Sequence, residues 1–157
     1  MKIQNRALFF ITLFALSVSL TLAASAQDSE KKVKMKGMPP AVQATVKQQS
    51  EGATLRGLAK EVEGGKTFYE AELMVNDHRK DVLMDTDGKV VSIEEEVPLA
   101  SVPAIIKAEI EKQAGKRKIQ FVESITKDGA IVYYEAHVKS GIKSKEIKVG
   151  MDGKLMK

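Results

Sequence analysis

The sequence predicts an α+β fold: two tandem repeats, each a short helix followed by a four-stranded antiparallel meander, forming a curved sheet with helices on one face. Three observations predict it. Apolar triplets at helical spacing recur at a constant offset, stretches of period-two alternation follow each of them, and turn-forming pairs punctuate those stretches.

The helices come first. Met38, Val42 and Val46 lie at successive i, i+4 positions beside Pro39, and Val102, Ile106 and Ile110 do the same beside Pro103, 64 residues further on. Each triplet makes one apolar stripe. Proline suits the first turn of a helix, where its missing N–H goes unused, and Ser101 is placed to cap the second helix. The strands follow. Phe68-Tyr69-Glu70-Ala71 matches Tyr133-Tyr134-Glu135-Ala136, and Asp87-Gly88-Lys89 matches Asp152-Gly153-Lys154, both at an offset of 65. Breaks are expected at Gly64-Gly65, Asn76-Asp77, Asp87-Gly88, Asp128-Gly129, Ser140-Gly141 and Asp152-Gly153, pairs that supply the positive φ values of hairpin turns. The repeats are assigned to residues 38–97 and 98–157, with a short final strand.

Ahead of them, Lys2 and Arg6 precede an apolar run from Ala7 to Leu22 and the small-residue stretch Ala24-Ser25-Ala26. This is the pattern of a cleavable signal peptide over residues 1–26, cut after Ala26. The run is short of the roughly twenty apolar residues of a membrane span. Export to the periplasm or beyond is expected. Residues 27–37, with Lys31, Lys32, Lys34 and Lys36, read as a basic flexible leader. There is no cysteine, so the fold relies on its core rather than on disulfides, and no lipid-anchoring cysteine is present. Of 25 basic side chains Lys2 and Arg6 leave with the signal, and the remaining 23 nearly balance 21 acidic ones, which argues against nucleic acid as partner.

The proline-started helices, the aromatic-Tyr-Glu-Ala strands and the Asp-Gly-Lys turns, paired behind a signal peptide, resemble the PepSY-like proteins, a family grouped by fold with a beta-lactamase inhibitor protein. The resemblance covers Met38 to Lys157. It implies a curved antiparallel sheet with helices on one face, a free face for a partner, and restraint of peptidases or other envelope proteins by binding. It carries over no individual site residue.

Chemistry is sparse. With no cysteine and only His78 and His137, nucleophilic triads have little to work with, and neither a Gly-x-Ser-x-Gly elbow nor a His-Glu-x-x-His motif nor a phosphate-cradling loop occurs. The expectation is no enzyme, no catalytic residue and no cofactor. Neither histidine has the second and third ligands of a zinc site close by in the chain. Asp85-Thr86-Asp87-Gly88 superficially matches a calcium loop, but its glycine falls two positions early and Lys89 takes a ligand position, so a hairpin turn is expected. A strand is expected over Val90 to Glu96, but the run Glu94-Glu95-Glu96 at its end reads as a solvated linker, and Lys143, Lys145, Lys148 and Lys154 as solubilising. The candidate partner-binding set is Phe68, Glu70, Glu72, Tyr133, Glu135 and His137, which alternation places on the side of the strands away from the helices. The function this favours is an exported module that binds or inhibits an envelope protein, such as a peptidase or a sensor domain, through that sheet face. The alternative is a periplasmic protein sensing a small ligand or metal ion.

Overall fold

The computed structural model describes residues 29–156; the signal peptide read at residues 1–26 lies outside the described residues. The strands are β1 (Ser29–Lys32), β2 (Thr54–Glu63), β3 (Lys66–Val75), β4 (His78–Asp85), β5 (Val90–Val97), β6 (Lys118–Lys127), β7 (Ala130–Ser140) and β8 (Lys143–Gly150), with helix α1 (Pro40–Gln49) between β1 and β2 and α2 (Ala104–Ala114) between β5 and β6. All eight strands pair in chain order as one antiparallel sheet.

This corrects the expected pair of helix-plus-four-strand repeats. Among the described residues four strands follow α1 but three follow α2, after which only the single-residue bridge of Val149 with Leu155 extends the ladder. β5 and β6 are hydrogen-bonded neighbours, from Ile93 opposite Thr126 to Val97 opposite Val122, so the sheet has no seam there. The leader is also corrected. Rather than a flexible connector it forms β1 on the free edge of β2, although Glu30 faces Glu61 and Lys31 faces Lys60. Like charges opposite each other weaken a ladder. What holds this segment is backbone pairing together with Val33 and Met35, which pack on the core beyond it.

Tight turns set the register. Asn76 and Asp77 both have positive φ, as do Gly64 with Gly65 and Asp128 with Gly129, giving two-residue hairpins whose twist matches the strands. At the β4–β5 turn the Asp85 carboxylate accepts the N–H groups of Asp87 and Lys89, both at 2.9 Å, so it serves the turn. Gly88, at φ +77, presses against α1: an added Cβ would lie 2.7 Å from the Ala41 carbonyl, and Thr45 Oγ1 donates to the Gly88 carbonyl at 2.7 Å. The helices begin as the prolines dictate, with Pro39 and Pro103 as N-caps. Ser101 does not cap α2. It lies in the preceding 3-10 turn, its hydroxyl donating to Pro98 O at 2.7 Å.

Both helices cover the same side of the sheet. Val42 and Val46 of α1 pack with Tyr69, Ala71, Leu73, Val82 and Met84. Ile106 and Ile110 of α2 pack with Val122, Tyr134, Ala136, Val138, Ile147 and Val149. Each fully buried valine or isoleucine stabilises by roughly 1.5–3 kcal/mol, which is how short helices without side-chain caps stay folded.

Ile110→Ala, which empties a site with no solvent exposure, is expected to cost about 2–5 kcal/mol in urea unfolding. Gly88→Ala should cost at least about 1 kcal/mol, because its φ and its contact with α1 are both unsuited to a side chain. An unchanged midpoint in either variant would contradict the packing described.

Candidate functional site

The other side of the sheet carries neither helix. Since Tyr69, Ala71 and Leu73 of β3 and Tyr134, Ala136 and Val138 of β7 face the core, alternation turns Phe68, Glu70, Glu72, Tyr133, Glu135 and His137 to the opposite, open face. Pairing then aligns them in rows across the strands. One row runs Gly57, Glu72, Asp81, Glu94, Ile125, Tyr133 from β2 to β7. The next, on one side, runs Ala59, Glu70, Leu83, Ser92, and on the other side Glu96, Glu123, Glu135, Lys148. Phe121, His137 and Glu146 form the row beyond.

The six expected residues therefore share a face without forming one cluster. β3 and β7 are four strand spacings apart, about 19 Å, so Phe68 and Tyr133 flank the site from opposite ends. Phe68 pairs with Glu61 and Asp85, Tyr133 with Ile125 and Gly150. His78 is exposed at the start of β4, across a hairpin from Val75.

Between the two aromatics lies a dense group of carboxylates. Although neither α1 nor α2 lies on this face, Ile125 is fully buried and Glu123 and Glu135 are 4% and 5% exposed. Register shifts in the β2–β3, β4–β5 and β6–β7 pairs explain this, because bulges bend strands and let the sheet curl around its own side chains. A pocket of about 180 Å³ opens there, lined by Glu61, Glu70, Asp81, Leu83 and Glu94.

Burial and crowding raise the pKa values of Glu70, Asp81 and Glu94. The Glu70 carboxyl is pushed up to about 9, first by burial, then by its hydrogen bond with Glu61 and by the charges of Glu61, Asp81 and Glu72. Burial also raises Asp81 to about 6, with Glu123 and Glu72 adding to it and Arg79 opposing. Glu94 rises to about 7 through burial and the charges of Glu123, Glu135 and Asp81. Gly57 makes room for this crowd, since a Cβ there would collide with the Glu72 carboxylate at 2.6 Å.

The β6–β8 end is different because cations meet the carboxylates. His137 Nε2 lies 2.9 Å from Glu123 Oε2 and 3.4 Å from Glu135 Oε1, and Lys148 Nζ lies 3.0 Å from Glu135 Oε2. The hydrogen bond with Glu123 raises the His137 pKa above its usual value. Burial raises that of Glu135 despite Lys148, and the Glu135 hydrogen bond raises that of Lys148. The His137 ring stacks on Phe121, centroids 4.2 Å apart and planes 19° from parallel, and Arg79 Cζ sits 4.4 Å over the same Phe121 ring.

Sequence reading missed Asp81, Glu123, Phe121 and Arg79, and, although it ended a strand at Glu96, it gave Glu94-Glu95-Glu96 the role of a solvated linker. That run is part of β5, in the middle of the sheet, with Glu94 and Glu96 on the open face and Glu95 on the other. Continued alternation through Val90–Val97 was the available signal. His137 gains close neighbours that chain proximity could not show: Glu123 comes from β6 and Glu146 from β8. Lys148, expected to be merely solubilising, is an internal ion-pair partner.

No protein-family model matches the sequence, and neither does any curated protein. Solved structures do match. A candidate periplasmic protein from Bacteroides eggerthii superimposes with a TM-score of 0.61 at 18% identity, covering 76% of this chain and 86% of that one. A DUF2874 family protein from Bacteroides uniformis gives 0.58 at 17%, covering 76% and 86%. A BLIP-like protein from Bacteroides fragilis gives 0.53 at 17%, covering 76% and 84%. The fold is beta-lactamase-inhibitor-like. At these identities the likeness concerns the fold alone.

The raised pKa of Glu70 has a definite consequence for stability. A carboxyl whose folded pKa exceeds its unfolded value near 4.5 binds more protons when folded, so its contribution is present at low pH and lost as pH rises from about 4.5 to about 9. Glu70→Gln removes that loss. Urea unfolding of the variant is expected to show a higher midpoint than the parent at pH 9 and little difference at pH 5. A gap that fails to widen with pH would show that Glu70 is not held protonated.

Proposed function

We propose that the protein is an exported binding module, with no chemistry of its own, that holds a cationic segment of a cell-envelope protein against the open face of its sheet. The observation supporting this reading is the concentration of Glu61, Glu70, Glu72, Asp81 and Glu94 on the adjoining strands β2 to β5. Carboxylates at neighbouring cross-strand positions repel one another and weaken the sheet. Glu70, its pKa pushed up to about 9, retains its proton at neutral pH, and a lysine- or arginine-rich segment would take the place of that proton and screen the neighbouring carboxylates. Phe68, beside Glu61 and Asp85, offers apolar contact for the alkyl stems of such residues at one end of the patch, and Tyr133 does so at the other.

Export is part of the proposal. It rests on the charged start, apolar run and small-residue site over residues 1–26 and agrees with the description of the Bacteroides eggerthii neighbour. Among the described residues no helix is long and apolar enough to cross a membrane. The sequence resemblance to PepSY-like proteins, which implies restraint of peptidases, makes a peptidase a suitable candidate partner.

The test is fluorescence anisotropy with a labelled oligolysine peptide, and oligoglutamate as control. The parent protein should bind oligolysine, less tightly as salt rises from about 0.05 to 0.5 M and more tightly as pH rises and Glu70 ionises. Glu61→Gln/Glu70→Gln/Asp81→Asn, checked for an unchanged circular dichroism spectrum, should lose about tenfold or more. Equal binding by this variant, or equal binding of oligoglutamate, would remove the support for a cationic partner.

A further inference from the structure

The β6–β8 end of the open face has a separate capability that does not depend on the cationic-segment reading. We propose that His137, Glu135 and Glu146, with Glu123 at the same imidazole nitrogen, form a binding site for one divalent transition-metal ion.

The geometry is that of converging ligands. Metal–ligand bonds of about 2.1 Å put neighbouring ligand atoms about 3.0–3.4 Å apart. His137 Nε2 already stands 2.9 Å from Glu123 Oε2 and 3.4 Å from Glu135 Oε1. One ligand atom from each of Glu135, His137 and Glu146 lies within 4.8 Å of the others. Glu146 is exposed on β8 and lies 3.8 Å from Lys148 Nζ, a loose surface pair that the small swing closing the set would exchange for a bond to the metal.

The contacts at the imidazole nitrogen point the same way. Nε2 carries at most one proton, yet two carboxylate oxygens converge on it. Glu123 and Glu135 are directly opposite across β6 and β7, and both are almost wholly buried. A dication would bond both oxygens at once, where the single N–H donates well to one and Glu135 takes its closer contact from Lys148. The imidazole is also held in place, with Phe121 stacked on it and Arg79 over Phe121. Three adjoining strands supply the ligands, which gives a rigid frame of the kind a metal site needs.

The donor set selects the ion. One imidazole with two or three carboxylates suits zinc, cobalt or nickel, whereas calcium asks for six to eight oxygens and gains nothing from imidazole. The carboxylates of β2 to β5 contain no such nitrogen.

The experiment is titration of the untagged protein with Co²⁺, followed by its visible absorption, with competition by Zn²⁺ and Ca²⁺. One Co²⁺ per chain is expected, displaced by Zn²⁺ and not by equimolar Ca²⁺. His137→Gln, which keeps a polar side chain at the position, should weaken binding by about 100-fold, and Glu146→Gln, at an exposed position that the fold does not depend on, by about tenfold. His78→Ala should bind as the parent does. Absence of saturable Co²⁺ binding, equal binding by Glu146→Gln and His137→Gln, or displacement by Ca²⁺ as readily as by Zn²⁺ would overturn the proposal. The oligolysine experiment uses none of these residues, so either proposal can fail alone.

Discussion

Five residue pairs between β5 and β6, from Ile93↔Thr126 to Val97↔Val122, join the two ends of the molecule into one hydrogen-bonded sheet. Everything else follows from that continuity. Strand side chains alternate, so an unbroken ladder gives every strand the same two sides. One side becomes a common floor for α1 and α2, each resting on its own apolar cluster. The other becomes a single surface on which acidic residues separated by up to 85 positions in the chain, such as Glu61 and Glu146, share one field. A break at this junction would leave two smaller sheets with two more exposed edges and no shared acidic face.

That face divides electrostatically. From β2 to β5 the carboxylates crowd together and burial raises the pKa values of Glu70, Asp81 and Glu94, most of all that of Glu70, where burial and Glu61 act in the same direction. From β6 to β8 repulsion is relieved by His137 and Lys148, which bond Glu123 and Glu135 directly. Glu94 sits at the boundary and feels both, raised by Glu123, Glu135 and Asp81 and lowered by Lys148. One surface thus holds two arrangements of charge, one of crowded carboxylates and the other of carboxylates paired with side-chain cations.

Much of this was legible residue by residue. The i, i+4 triplets mark α1 and α2, and Asn76-Asp77, Gly64-Gly65 and Asp128-Gly129 mark hairpins, because helical stripes and positive-φ turns are local properties. The faces of β3 and β7 are equally local, so Phe68, Glu70, Glu72, Tyr133, Glu135 and His137 could be assigned a side before any pairing was known. The leader and the Glu94-Glu95-Glu96 run were misread because their composition is that of solvated linkers. What makes them strands is the backbone of β2 and of β4 and β6 waiting beside them. Ser101 likewise has a capping residue's chemistry but is spent on Pro98.

The sequence by itself determined the two helices, the hairpin turns and which side chains oppose which along a strand, since each depends on a few consecutive residues and their dihedral preferences. Only the tertiary structure decided that there is one eight-stranded sheet rather than two four-stranded ones. It also decided that Asp81 and Glu94 lie in one row with Glu72, and that Glu123 and Glu146 flank His137. Those neighbours are set by register across strands, and the electrostatics of the face depends on distances of a few ångströms that no chain spacing encodes.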